Sequence, residues 1–112
     1  MIKMIITLKR REGMSLQEFK DYRRDVHAPL LFAIPEADQY IRRFVVSYPV
    51  PAPSFSEPSY DAVVEAWFDT MDDLDALYLC ENFRVKVDPD HENFIDMSKV
   101  GRIISEEILV VG

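Results

Sequence analysis

The order in which hydrophobic periodicity changes along this chain leaves few folds open. From Ile2 to Leu8, the residues Ile2, Met4, Ile6 and Leu8 form an apolar alternate set, and Lys3, Ile5 and Thr7 a mixed one. A period of two is that of a strand with one face in a core and the other partly covered. The stretch Ser15 to Leu31, SLQEFKDYRRDVHAPLL, switches to a helical period, with Phe19, Tyr22, Val26 and Leu30 on one face and Leu16 at its edge. Its start is well marked: Gly13 precedes it as a breaker, and Ser15 with Glu18 makes a capping box. Ile34-Pro35-Glu36-Ala37-Asp38 interrupts the pattern, and Gln39 to Tyr48 alternates as a second strand. Pro49 to Ser59 holds four of the seven prolines and reads as a long connection. Tyr60 to Phe68 is a third strand, Thr70 to Val87 a second helix with Thr70 as its N-cap, and Gly101 to Val111 a fourth strand.

The order βαββαβ predicts an α+β fold of the ferredoxin-like kind: an antiparallel four-stranded sheet with both helices on one face. The sheet's other face carries Val63, Trp67 and an apolar row of the fourth strand. An exposed apolar patch of that size marks an interface. We therefore expect a homodimer in which two sheets pack face to face as a dimeric α/β barrel and enclose a cavity. Residues 1–112 are expected to form one domain with a modest core.

A formal charge of −7 argues against a nucleic-acid partner, whose phosphates need clustered Lys and Arg. The longest apolar run is far short of the ~20 residues that span a bilayer, so no membrane partner is expected. The N-terminus suits a first strand better than a signal peptide. Cys80 is the single cysteine and has no internal disulfide partner, which fits a reducing cytoplasm.

His27 is the most specific chemical feature. It lies on the flank of the first helix, one turn after Arg23, and Pro29 should kink or restart the helix just beyond it. A neutral imidazole held at such a break can act as a general base, or can simply bond a backbone carbonyl. Tyr40, at the start of the second strand, could donate to a carbonyl or enolate oxygen. Asp61 and Glu65 share a face of the third strand but stand roughly 13 Å apart along it, too far for a close pair. Each could orient His27 or bond a substrate, or, in the case of Glu65, pair with Arg42, Arg43 or Arg102. Trp67 offers a flat wall to a ring, and Arg42 can reach an anionic group. The cluster Asp88, Asp90, His91 and Glu92 matches no zinc or calcium spacing, so no metal is expected. Only Gly13, Gly101 and Gly112 are glycines, which leaves no phosphate loop, and no cofactor is expected.

Taken together, FKDYRRDVHAPL, Tyr40, YDAVVEAWF, PDHENFIDM and EEILVV resemble the EthD family of dimeric α/β-barrel proteins, over about Ile2 to Val111. The His-Ala-Pro tripeptide and the aspartate-to-tryptophan pattern of the third strand are the most specific elements. The resemblance implies the ferredoxin-like fold, the two-sheet dimer and a role in degradation of ethers or other small organic compounds, often beside an oxidative system. Relatives include muconolactone isomerases and polyketide-tailoring proteins. Two positions depart from the pattern: Tyr22 stands where many relatives carry tryptophan, and Ala66 where some isomerases carry cysteine. The second departure argues against thiol chemistry, since Cys80 lies on the other helix.

The expected activity is cofactor-free, isomerase- or lyase-type proton transfer on a small hydrophobic carbonyl compound in a catabolic or tailoring pathway. His27, Tyr40 and Glu65 would be catalytic, and Asp61, Trp67 and Arg42 would bind substrate. The alternatives are a non-catalytic binding protein that accompanies an oxidative system, and a cofactor-independent monooxygenase.

Overall fold

Strand β1 (Ile2–Leu8) lies inside the sheet, bonded to β3 (Ala62–Phe68) on one side and β4 (Gly101–Glu106) on the other. Strand β2 (Arg43–Ser47) flanks β3 and completes the order β2-β3-β1-β4 in the computed structural model, which describes residues 1–112. All three pairings are antiparallel, so β1 and β2 run parallel with β3 between them. This is the split βαβ of a ferredoxin-like sheet, with the helices on one face. Met4, Leu8, Ala62, Val64, Ala66 and Phe68 point to the helices and are buried. One apolar cluster gathers Met4, Leu31, Leu74, Leu77 and Phe83, and a second gathers Leu8, Phe19, Phe94 and Ile95.

The first helix is built in three pieces: α1 (Leu16–Tyr22), a π-helical turn at Arg23–His27, and α2 (Ala28–Phe32). Both halves of the Ser15–Glu18 capping box are made. The buried stripe differs from the expected one. Phe19, Arg23, His27 and Leu31 face inward, whereas Val26 is 40% exposed. The cause is the wide turn: the Ala28 amide bonds the Arg23 carbonyl, five residues back. Side chains four apart therefore align through this stretch, where a pure α-helix would drift. Pro29 follows directly and has no amide with which to continue the α-ladder.

Three expected boundaries move. Gln39 to Tyr48 is not all strand: α3 (Pro35–Tyr40) occupies its start, and Tyr40 is the last helical residue. Pro35 sits at the start of that helix, where its missing amide costs nothing, with Glu36 and Asp38 in the first turn favoured by the helix dipole. The second helix is also divided. α4 (Met71–Tyr78), capped by Thr70, gives way to a π turn at Phe83–Val87 and a 3₁₀ turn at Asp88–Asn93. Finally, β4 ends at Glu106 rather than Val111. Glu106 pairs with Ile2, the first residue of β1, so the remaining tail has no strand beside it.

On the open face of the sheet, Trp67 is covered by Lys3 and Arg43, each 4.8 Å from its ring centre. Lys3 also pairs with Glu65 at 2.5 Å and with Glu107 at 3.2 Å. No helix is long and apolar enough to cross a membrane.

Candidate functional site

A cavity of about 370 Å³ lies between the helix-facing side of the sheet and the helices. It was expected between two sheets of a dimer; this one lies within a single protomer, on the opposite side of the sheet. Thirteen of its 19 lining residues are hydrophobic, among them Ile6, Phe44, Val64 and Ile104. Its volume suits a small organic molecule. The other six lining residues come from three places, Arg23 and His27 on the first π turn, Arg84 on the second π turn with Asp88 and His91 just after it, and Arg102 on β4, and Tyr78 on α4 adds a hydroxyl. Two π turns thus flank one cavity, and such turns commonly mark functional sites.

His27 is buried, and its Nδ1 lies 3.0 Å from Asp90 Oδ2. Tyr22 donates its hydroxyl to the other Asp90 oxygen, and Asn93 donates its amide to the same atom at 3.0 Å. Burial alone would raise the Asp90 carboxyl, but hydrogen bonds from Tyr22, Asn93 and His27 outweigh it and hold the group below the usual carboxylate value. An ionised carboxylate only accepts, so Nδ1 carries the proton and donates, leaving a lone pair on Nε2. Burial first, then His91, pulls the His27 pKa from 6.5 down to about 4, against the upward pull of the Asp90 hydrogen bond. The ring is therefore neutral at physiological pH. Nε2 has no hydrogen bond within the chain, yet no fully enclosed side-chain polar atom is orphaned. Nε2 must accordingly touch the open space of the cavity that His27 lines. The ring is fixed further by His91 and Phe94, with centres 4.5 and 4.8 Å away.

Of the six residues given a catalytic or substrate-binding role from the sequence, only His27 reaches this cavity. Tyr40 packs half-buried against the larger apolar cluster. Arg42 is exposed and bonds Asp69 at 2.9 Å and the Gln39 carbonyl at 3.0 Å. Asp61 accepts from the Arg10 amide at 2.8 Å. Glu65 and Trp67 belong to the open face of the sheet with Lys3, so the predicted partner of Glu65, an arginine, is replaced by a lysine. The carboxylate that orients His27 is neither Asp61 nor Glu65 but Asp90. Asp90 and His91 stood out in the sequence only as a metal candidate; their clustering in PDHENFIDM was the visible signal. Arg23, one turn before His27, was read as the neighbour of the histidine, and it is buried beside it.

The fold and the site together define a ferredoxin-like α+β protein with a histidine–carboxylate pair at an internal apolar cavity. The chain belongs to the EthD family: the EthD domain model matches residues 11–98. It is similar to the conidial pigment biosynthesis dehydratase EthD of Metarhizium robertsii, at 30% identity over an alignment of 106 positions that takes in 86% of this chain and 75% of the relative. An ethyl tert-butyl ether D (EthD) family protein of Bacillus halodurans superposes with a TM-score of 0.74 at 23% identity, covering 96% of this chain and 99% of that one. A dimeric ferredoxin-like protein of unknown function from Bacteroides fragilis superposes with a TM-score of 0.67 at 14% identity, covering 95% of both chains.

Proposed function

We propose that this protein is a cofactor-free enzyme of the lyase or isomerase type, moving a proton on a small hydrophobic carbonyl compound inside the cavity. The observation that carries the reading is the buried His27–Asp90 pair, whose unbonded Nε2 meets an apolar space of substrate size. A neutral imidazole oriented by a carboxylate is the arrangement of a general base, with Asp90 fixing the tautomer and stabilising the imidazolium once it forms. His27 Nε2 takes the proton from a carbon beside the substrate carbonyl, and the electron pair moves toward that carbonyl as an enolate. Returning the proton to another carbon gives an isomer. Returning it to a departing β-hydroxyl gives water and a carbon–carbon double bond. The second outcome accords with the dehydratase name of the Metarhizium relative. The protein is further proposed to act as a homodimer, as the Bacteroides neighbour is described to be.

The test is exchange of α-protons. 2-Tetralone, a bicyclic ketone that suits the cavity, incubated in D₂O should gain deuterium faster with the protein than with buffer, read by proton NMR. His27→Ala should lower that rate by about 10²-fold or more, the range of a lost general base. Equal rates with the parent and His27→Ala would overturn the assignment. A ketone that binds both proteins equally and exchanges in neither would make the cavity a carrier site.

A further inference from the structure

Arg23 is the least explained residue of the cavity. It is 6% exposed, on the same inward stripe as His27, and forms neither an ion pair nor a hydrogen bond through its side chain. No enclosed side-chain polar atom is orphaned, so its guanidinium nitrogens face the cavity that it lines. Its only close companion of interest is the Phe44 ring, 5.8 Å from Cζ. Guanidinium does not surrender its proton at any ordinary pH, so burial leaves a charge with nothing to balance it. An unpaired buried charge costs several kcal/mol, and a chain has no structural reason to keep one. The surroundings favour the same sign. In a protein of net charge −7, the cavity lining holds three arginines, Arg23, Arg84 and Arg102, against one carboxylate, Asp88. Asp88 is itself engaged with His91 at 3.1 Å, and Arg84 with the Leu79 carbonyl at 3.1 Å. Tyr78 stands nearby with its hydroxyl kept protonated by burial, a donor and not a competing anion.

We infer that Arg23 binds an oxyanion of the substrate, which makes the substrate of this cavity a small, largely apolar molecule bearing a carboxylate or an ionised phenol. The planar fork of the guanidinium suits either group, and bidentate pairing with a carboxylate is its strongest mode. The inference rests on the proposed reaction only for the word substrate; the binding preference stands without turnover. It also links binding to chemistry. His27 faces Arg23 from its own element and Asp90 and His91 from the 3₁₀ turn. The positive charge of Arg23 opposes protonation of that imidazole. An anion seated on Arg23 cancels part of the opposition, so His27 becomes a stronger base when the correct ligand is in place.

The experiment compares 2-naphthoate with 2-naphthamide, its neutral isostere, by titration calorimetry on the unaltered protein. 2-Naphthoate should bind at least about tenfold more tightly, the difference expected for one charge-assisted hydrogen-bonded pair. Equal affinities would overturn the inference with no variant needed. 4-Nitrophenol, whose coloured anion reports its own ionisation, separates the two sources. A lowered pKa on binding points to phenolates, and an unchanged one with tight naphthoate binding points to carboxylates. Arg23→Met should abolish the preference, yet melt no lower than the parent because no partner is left behind. A large loss of stability would make Arg23 a structural residue and overturn the proposal. In the parent, 2-naphthoate but not 2-naphthamide should raise the His27 pKa, followed by NMR of the ring. His27→Ala should keep the naphthoate preference, so failure of the general-base reading and failure of this one give different results.

Discussion

When this chain folds, His27 exchanges a hydrated imidazole of ordinary pKa, 6.5, for a buried one that titrates at about 4. Between those values the unfolded chain holds a proton that the folded one lacks. Stability therefore rises with pH across the window from about 4 to 6.5 and levels off above it. Asp90 acts in the same direction at the acid end: its depressed carboxyl contributes stability that is lost as pH falls through its folded value. Arg23 and His91 both oppose protonation of this ring, one from each of two elements. Urea unfolding at pH 7 and pH 5 should differ by about 2 kcal/mol on this account. His27→Asn, which cannot gain a proton, should remove most of the difference. A parent protein equally stable at both values would show that folding leaves the pKa of this ring unchanged. The same neutral ring explains why a base can be kept in an apolar cavity: its resting state carries no charge, and its one fixed hydrogen bond goes to a carboxylate that three donors hold ionised.

The π turn at Arg23–His27 is what brings Arg23 and His27 to one side of the first helix, and it gives the element its use. Deleting Val26, exposed and without a role in the core, should convert this wide turn to an α-turn, since a π turn differs from the α-helix by a single inserted residue. Circular dichroism should still show a folded protein. His27 would rotate away from Asp90, its pKa would move back toward 6.5, and α-proton exchange should fall by about 10²-fold, the loss expected when a general base is misplaced. Retained exchange would remove the turn from the argument. This turn also marks where the sequence stopped being legible. The capping box and the order βαββαβ follow from local patterns, and both are present; His27 was expected on the flank of the apolar face and lies on the buried stripe itself. A π turn has no local signature: it shifts the buried face by one residue, so Arg23, His27 and Leu31 take the places expected of Tyr22, Val26 and Leu30. Tyr40 was misplaced because Pro35 signals a helix start as readily as a break. Asp90 lies 63 positions from His27, and only tertiary packing reveals the pair. Glu65 and Trp67 were put on one face of β3 and lie there with Lys3, Asp61 precedes the strand, and the cavity lies behind the other face.

At the scale of the whole molecule, the open side of the sheet is the unfinished surface. Its middle row runs Val45, Glu65, Ile5 and Ile103 across β2, β3, β1 and β4, with the single carboxylate neutralised by Lys3. Ile103 is 57% exposed, and in the tail that outruns β1, Ile108, Leu109, Val110 and Val111 are each 77–89% exposed. A monomer gains nothing from such a row and tail. A second copy packed on the same face would bury the row and give each sheet an apolar partner of its own shape. Sedimentation at micromolar concentration should give twice 13.1 kDa. Ile103→Asp should halve that mass. The new carboxylate would be desolvated in the interface, while in an isolated chain it would sit in water at little cost to the fold. A parent particle of 13.1 kDa would exclude the dimer outright. The outcome bears on the site as well, because alternation along β4 puts Ile103 on the open face and its neighbours Arg102 and Ile104 in the cavity lining. Packing that steadies one side of β4 holds the wall of the cavity on the other. The monomeric variant should therefore bind 2-naphthoate more weakly than the parent while keeping its preference over 2-naphthamide, since Arg23 lies on the helix layer and not on the strand that was released.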